Sequence, residues 1–257
     1  MTITSSLPSS NWQFPDPIQA DPIGEGLVAV GADLAPETIL GAYQKGIFPW
    51  FSGDDPICWW SPEPRCIILP ESFKPSKTLI RTIKKNQYTL TLNKSFTDVM
   101  QACADMRAHA EGTWISSNII KGYSGLHDAG LAHSIEVWQT VPEASSEPIL
   151  VGGLYGVQLG RAFFGESMFS KQTDVSKIAF TFLMQLCTAS RFPFVDCQLP
   201  NAHLMSLGAI TMSRATFLEK LKDVLLQPAP SWKLLQNRQF NCVELLTNSL
   251  FSGLIEQ

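Results

Sequence analysis

The chain is short of charge. Only 16% of its 257 residues are Asp, Glu, Lys or Arg, against roughly 25% in an average soluble domain. Nineteen basic residues face 23 acidic ones, a formal net charge of -4, so bulk charge speaks against a general nucleic-acid binder. The four histidines, at 109, 127, 133 and 203, show neither HExxH nor Cys2His2 spacing, and none of the six cysteines (58, 66, 103, 187, 197, 242) lies in a Cys-x-x-Cys pair. A zinc site of recognisable type and a disulfide framework are thereby set aside, and reduced, mostly buried thiols in a cytoplasmic protein are expected. No basic residue precedes Lys45, and the opening MTITSSLPSS has no apolar core, so neither a secretory signal nor an Arg-rich transit peptide is read there. The most apolar stretch, 149–165, is broken by Gly152, Gly153, Gly156 and Gly160. It reads as hairpin strands and not as a membrane span.

What is present is enough apolar residue, 45% of the chain, for one large packed domain or two small ones. Residues 1–62 are turn-rich, with FPDP, FPWF and WWSPEPR segments and one clear helix, Pro36–Lys45, stopped by Gly46. From Arg65 the pattern alternates. Strands are expected at 65–69, 87–92, 133–139, 150–158, 161–168 and 194–198, and helices at 76–86, 95–110, 117–129, 174–189, 201–207 and 213–226. Ser95 with Asp98 three residues on has the form of a capping box. The expected class is α+β: a small N-terminal domain (1–62), a mixed-sheet domain (63–228), and an extension (229–257) without a legible pattern.

Four features bear on chemistry. Gly165-Glu166-Ser167-Met168-Phe169 approaches a nucleophile elbow, but Phe169 stands where that turn needs a small residue. Glu166 itself, an acid in an apolar strand, either ends the strand in solvent or lines a pocket. Asp196 and Gln198, two apart on a strand, share one face by alternation; they either form a polar site at the strand's end or a solvent-facing edge. Seven tryptophans include Trp50, Trp59 and Trp60 close together and Trp114, suited to core, interface or stacking on bases. Finally, residues 72–97 carry six cations and no acid, which leaves 13 cations against 23 acids elsewhere. Within that run Lys77, Arg81, Lys84 and Lys85 make one helical stripe. Such a stripe is either a solvated face or, with no counter-charge to relieve it, a seat for phosphates.

Together these stretches resemble the bacterial leucyl/phenylalanyl-tRNA–protein transferases. The resemblance is carried by GLVAVGADL (26–34), AYQKGIFPWF (42–51), WWSPEPR (59–65), GTWI (112–115), AHSIEVW (132–138), VGGLYGV (151–157), FFGESMFS (163–170), DCQ (196–198) and HLMSLGA (203–209), in the family's order. It implies transfer of Leu or Phe from aminoacyl-tRNA to the α-amine of proteins beginning with Arg or Lys, making a degradation signal; because apolar pockets discriminate poorly between similar side chains, Met is expected as a further donor. It also implies a C-terminal domain of N-acetyltransferase type and no metal or organic cofactor. Carried over by motif, Asp196 and Gln198 are expected as catalytic residues, and Glu166, Trp50 and Trp114 as substrate-binding residues. The basic stripe is expected to hold the tRNA. Phe163, Met168 and Phe169 are candidates for the apolar side-chain pocket. Two positions depart from the family pattern: Ala32, where a glycine is usual, and Val175, where an alanine is usual. An acyl-CoA-dependent transferase is the main rival, but no Arg or Gln is followed by Gly at the third position, as a pyrophosphate loop of that kind requires. A non-catalytic tRNA-binding module would explain the stripe but leave GESMFS and DCQ unexplained.

Overall fold

The computed structural model describes residues 7–53, 55–108, 113–139, 147–236, 238–247, 250–251 and 253–255. The polar loop at 140–148 and the last residues of the helix expected to reach Ala110 fall largely outside these ranges. The N-terminal part holds α1 (Pro17–Ala20), β1 (Leu27–Val30), α2 (Pro36–Tyr43), β2 (Phe48–Pro49) and β3 (Cys58–Trp60). The strands form a small antiparallel sheet in the order β1-β3-β2. Trp59 is buried at its centre, against Phe14, and its ring N–H donates to the Gly31 carbonyl at 2.8 Å.

The remainder contains β4 (Arg65–Ile68), α3 (Lys77–Lys84), β5 (Tyr88–Leu92), α4 (Phe96–Ala108), α5 (Ser117–Asp128), β6 (Ala132–Gln139), β7 (Ile149–Leu159), β8 (Ala162–Ser170), α6 (Val175–Ala189), β9 (Val195–Gln198), α7 (Ala202–Ser206), β10 (Ile210–Met212), α8 (Arg214–Leu225) and β11 (Phe240–Asn241). Eight strands make one sheet in the order β10-β4-β9-β8-β7-β6-β5-β11. Every neighbouring pair is antiparallel except β8 and β9. That parallel pair shares two partners only, Phe163 with Val195 and Phe164 with Asp196, and then separates. This mixed α+β sheet is covered on one face by α2, α4, α5 and α8 and on the other by α3 and α6, so that two apolar cores lie back to back.

Local chemistry explains the elements. Ser76 caps α3 by accepting the Leu79 N–H, and Leu79 and Ile83 are buried beneath it. Eight residues are too few for an isolated helix, so α3 depends on those two contacts, each contributing about 2 kcal/mol, and turns its cations outward. The box expected at Ser95 is not formed: the Ser95 N–H donates to the buried Glu136 carboxylate across the sheet. The tail, illegible in sequence, pairs β11 with β5 and buries Trp232 against Ser190.

Ala32 lies at φ +64°, in the left-handed region. A Cβ there is strained, and glycine is not. Val175 is fully buried and packs against Gly152, away from the cavity described below. Replacing Ala32 with Gly is therefore expected to raise unfolding free energy by about 1 kcal/mol, measured by urea titration; a loss of stability would contradict the strain.

Candidate active site

Two β-bulges shape the gap where β8 and β9 part. On β8, Tyr155 faces Ser167 and Gly156 faces Gly165, so Glu166 is the extra residue. Gly156 is needed opposite it, because a Cβ there would lie 2.2 Å from the Phe164 carbonyl oxygen. On β9, Cys66 faces Gln198 and Ile67 faces Asp196, so Cys197 is the extra residue. Gln198 follows at φ +57°. A bulge re-aims the side chains beside it. Here it overturns the alternation that put Asp196 and Gln198 on one face: Gln198 lines the cavity between the strands, and Asp196 does not.

Asp196 is fully buried. Arg65 grips it with two hydrogen bonds, Nε to Oδ1 at 2.8 Å and Nη2 to Oδ2 at 2.6 Å, while Arg65 Nη1 donates to the Gly46 carbonyl at 2.9 Å. The guanidinium also lies 4.4 Å from the Phe217 ring centre. Asp196 Oδ1 in addition accepts the Gln198 backbone N–H at 3.1 Å. The carboxylate thus holds Gln198 in its left-handed backbone.

Glu166 points into the cavity. Its Oε1 accepts from Gln198 Nε2 at 3.1 Å and its Oε2 from the Tyr123 hydroxyl at 3.2 Å. Since the Tyr123 proton is used there, the 2.7 Å contact between Tyr43 and Tyr123 is donated by Tyr43. Burial raises the Glu166 carboxyl to about 7, with the Tyr43 and Tyr123 hydroxyls and the Arg65 charge opposing the rise and the Asp196 charge adding to it. Burial and the Glu166 charge in turn push both phenols well above their ordinary range.

The cavity holds about 470 Å³. Of the residues expected at the site, Trp50, Trp114, Glu166, Met168 and Gln198 line it. Phe163 and Phe169 do not: each is 1% exposed and packs into the core, Phe163 near Trp232 and Phe169 under Gly153. The apolar wall is instead Met168 with Leu154, Phe180, Leu183 and Val195. Phe180 and Leu183 sit three apart on α6, a helical spacing visible in sequence but with no mark to separate pocket from core. Arg107, exposed at the cavity's edge, donates to Ser167 at 3.2 Å. Tyr155 lines the cavity with a buried hydroxyl that has no hydrogen-bond partner among the described residues. Lys77, Arg81, Lys84 and Lys85 stand elsewhere, exposed on and just after α3, and form no ion pair among the described residues.

The start of α6, where an acyl-CoA pyrophosphate would sit in a transferase of that type, is already occupied. Asp174 is the N-cap residue and pairs with Lys177 at 2.9 Å, and the Ser176 N–H is taken by Ser170 Oγ. An acid at that position repels a pyrophosphate. Comparison with known proteins agrees. Residues 67–222 match the family described as leucyl/phenylalanyl-tRNA protein transferase, and residues 32–63 match its N-terminal domain. The chain belongs to this family. It is 46% identical over 241 residues to the leucyl/phenylalanyl-tRNA–protein transferase of Psychrobacter arcticus, covering 92% of this chain and 87% of that one. It is 48% identical over 219 residues to that of Legionella pneumophila strain Corby, covering 85% and 94%. Among solved structures, one described as the crystal structure of FemX overlaps 69% of this chain and 66% of its own with a TM-score of 0.46 at 12% identity. As a member of the family the chain is an enzyme, an aminoacyltransferase that draws on aminoacyl-tRNA. No helix among the described residues is long and apolar enough to cross a membrane.

The raised Glu166 value has a sign for stability. The fold prefers the neutral acid, so stability is full below about pH 4.5 and declines as pH rises from 4.5 to about 7. Replacing Glu166 with Gln should therefore stabilise the protein by roughly 2 kcal/mol at about pH 8, after allowance for partial solvent screening. The gain should vanish near pH 4. Urea unfolding at the two pH values checks this; an equal gain at both would contradict it.

Proposed function

We propose that the enzyme transfers Leu or Phe, with Met as a further donor, from the tRNA ester to the α-amine of proteins that begin with Arg or Lys, in the cytoplasm. One observation carries the reading: a single cavity joins a polar neck of Gln198 and Glu166 to an apolar wall of Leu154, Met168, Phe180 and Leu183. The wall suits an unbranched or branched apolar side chain, and such walls separate similar side chains poorly. The neck suits an ester carbonyl and an amine held side by side. Trp50 and Trp114 flank the cavity as flat surfaces on which the terminal base of a tRNA can stack. Among the described lining residues Glu166 is the one carboxylate, and it offers the acceptor's N-terminus a negative partner. Free thiols throughout the described chain fit a reducing compartment.

The reaction needs little activation. An α-amine with an ordinary pKa of about 7.7–8.0 is partly neutral near pH 7, and the ester is already activated. Holding the two in register supplies most of the acceleration. The cationic face of α3 supplies the other need, a grip on the phosphate backbone.

Two measurements test this. Labelled leucyl-tRNA incubated with a peptide beginning with Arg should deliver label to the peptide; label only from acetyl-CoA, or retention of tRNA without transfer, would contradict the reading. Neutralising Lys77, Arg81, Lys84 and Lys85 together should weaken tRNA binding and flatten its dependence on log salt by about three to four. An unchanged slope would remove the helix from the tRNA interface.

A further inference from the structure

Forming a peptide bond from an ester releases one proton from the attacking amine and requires one at the departing ribose oxygen. Two carboxylates stand near the neck, and they are not equivalent. Asp196 is fully buried, lies off the cavity, and has both oxygens engaged by Arg65, one of them also by the Gln198 N–H. It presents no oxygen to a substrate. Glu166 lies on the cavity wall at a bulge, one oxygen on Gln198 Nε2 and the other on Tyr123. Around Glu166 are Tyr43 from α2, Tyr123 from α5 and Tyr155 from β7. Arg107 from α4 and His203 from α7 share the cavity wall, and the Arg65–Asp196 pair of β4 and β9 lies behind the neck.

We infer that Glu166, and not Asp196, carries the proton between amine and ribose oxygen, and that Arg65 and Asp196 are positioning residues that lock the backbone of Gln198. This rests on the transfer reaction proposed above. The neutral amine attacks the ester carbonyl carbon. The new N–C bond forms as the carbonyl π pair moves onto oxygen. Glu166 removes one proton from the nitrogen. When the tetrahedral intermediate collapses, the bond from carbon to the ribose oxygen breaks, its electron pair stays on that oxygen, and Glu166 returns the proton there. The carboxylate is regenerated, and ester plus amine have become amide plus alcohol. Gln198 holds the amine through its side-chain carbonyl while its NH2 steadies Glu166.

Single-turnover transfer from leucyl-tRNA to an Arg peptide, followed against pH, tests the assignment. Three proteins are compared: wild type, Glu166→Gln, and the double variant Arg65→Gln/Asp196→Asn, which removes both buried charges together and keeps amide hydrogen-bonding groups in their place. Below about pH 6 the wild-type log rate should rise with a slope near two, because Glu166, raised to about 7, and the amine both titrate. Glu166→Gln should lose roughly 100- to 10,000-fold in rate, keep aminoacyl-tRNA binding within a few-fold, and show a slope near one. The double variant should lose rate, because nothing then locks the Gln198 backbone, but keep a slope near two. Retention of the wild-type slope by Glu166→Gln overturns the inference, and that variant decides the matter if the double variant does not fold. Loss of the slope by a folded double variant overturns it equally. Failure of the wild type to transfer at all overturns instead the proposed function.

Discussion

The buried pair between Arg65 and Asp196 is the interaction on which the site depends. Taking two charges out of water is expensive, and only close geometry with every donor occupied offsets it. Here the two parallel hydrogen bonds, the Gly46 carbonyl and the rings of Phe217 and Phe48 supply that geometry. The pair therefore ties four parts of the chain to one point: β4, β9, α8 and the turn that leads into β2. Because Trp50 follows β2 directly, the same guanidinium sets both the cavity's mouth and, through Asp196, the backbone that aims Gln198. A second buried pair, Arg214 with Asp21 at 2.6 Å, fastens α8 to the N-terminal part through a single carboxylate contact, helped by the Ser61 and Asp21 carbonyls. Two such clamps explain how a turn-rich segment with little regular structure can form one wall of a site.

The sheet contributes the opening itself. Antiparallel neighbours stay paired along their length, but β8 and β9 share only their first residues and then part. Each carries an extra residue where they separate, so polar side chains emerge at a place where period-two order would bury them or turn them away. An apolar wall from β7, β8 and α6 lies below and two tryptophans lie above. On the function proposed above, affinity for the donor's side chain, orientation of the ester, and attraction of the RNA backbone are separate tasks, falling to the wall, the neck and α3.

Much of this was legible in the sequence. The helices α2, α5, α6 and α8 fall where the pattern puts them, α5 and α8 behind the serine caps Ser116 and Ser213, as does the hairpin of β7 and β8 at Gly160. The cations of α3 stand out because no acid is interleaved among them. What escaped was set by partners distant in sequence. Nothing local to Gly165-Glu166-Ser167 or Asp196-Cys197-Gln198 announces a bulge, since a bulge is a mismatch with the neighbouring strand. Counting by twos therefore placed Asp196 beside Gln198, and apolar character alone made Phe163 and Phe169 candidates for the pocket beside Met168. Leu154, Phe180 and Leu183 were invisible as lining because they are indistinguishable from core until the splay is known. The tail was unreadable because β11 is only two residues long and exists through its pairing with β5.

The central claim is that donor ester and acceptor amine meet at the neck of this one cavity. A crystal structure of the enzyme with an unreactive 3′-aminoacylamido-adenosine and an Arg-initiated peptide examines it most directly. The apolar side chain should lie against Leu154, Met168 and Phe180, the adenine on Trp50 or Trp114, and the acyl carbon within about 4 Å of the peptide's α-amine, which should touch Gln198 and Glu166. An acyl group seated elsewhere, or an amine held by Asp196 after displacement of Arg65, would contradict the account.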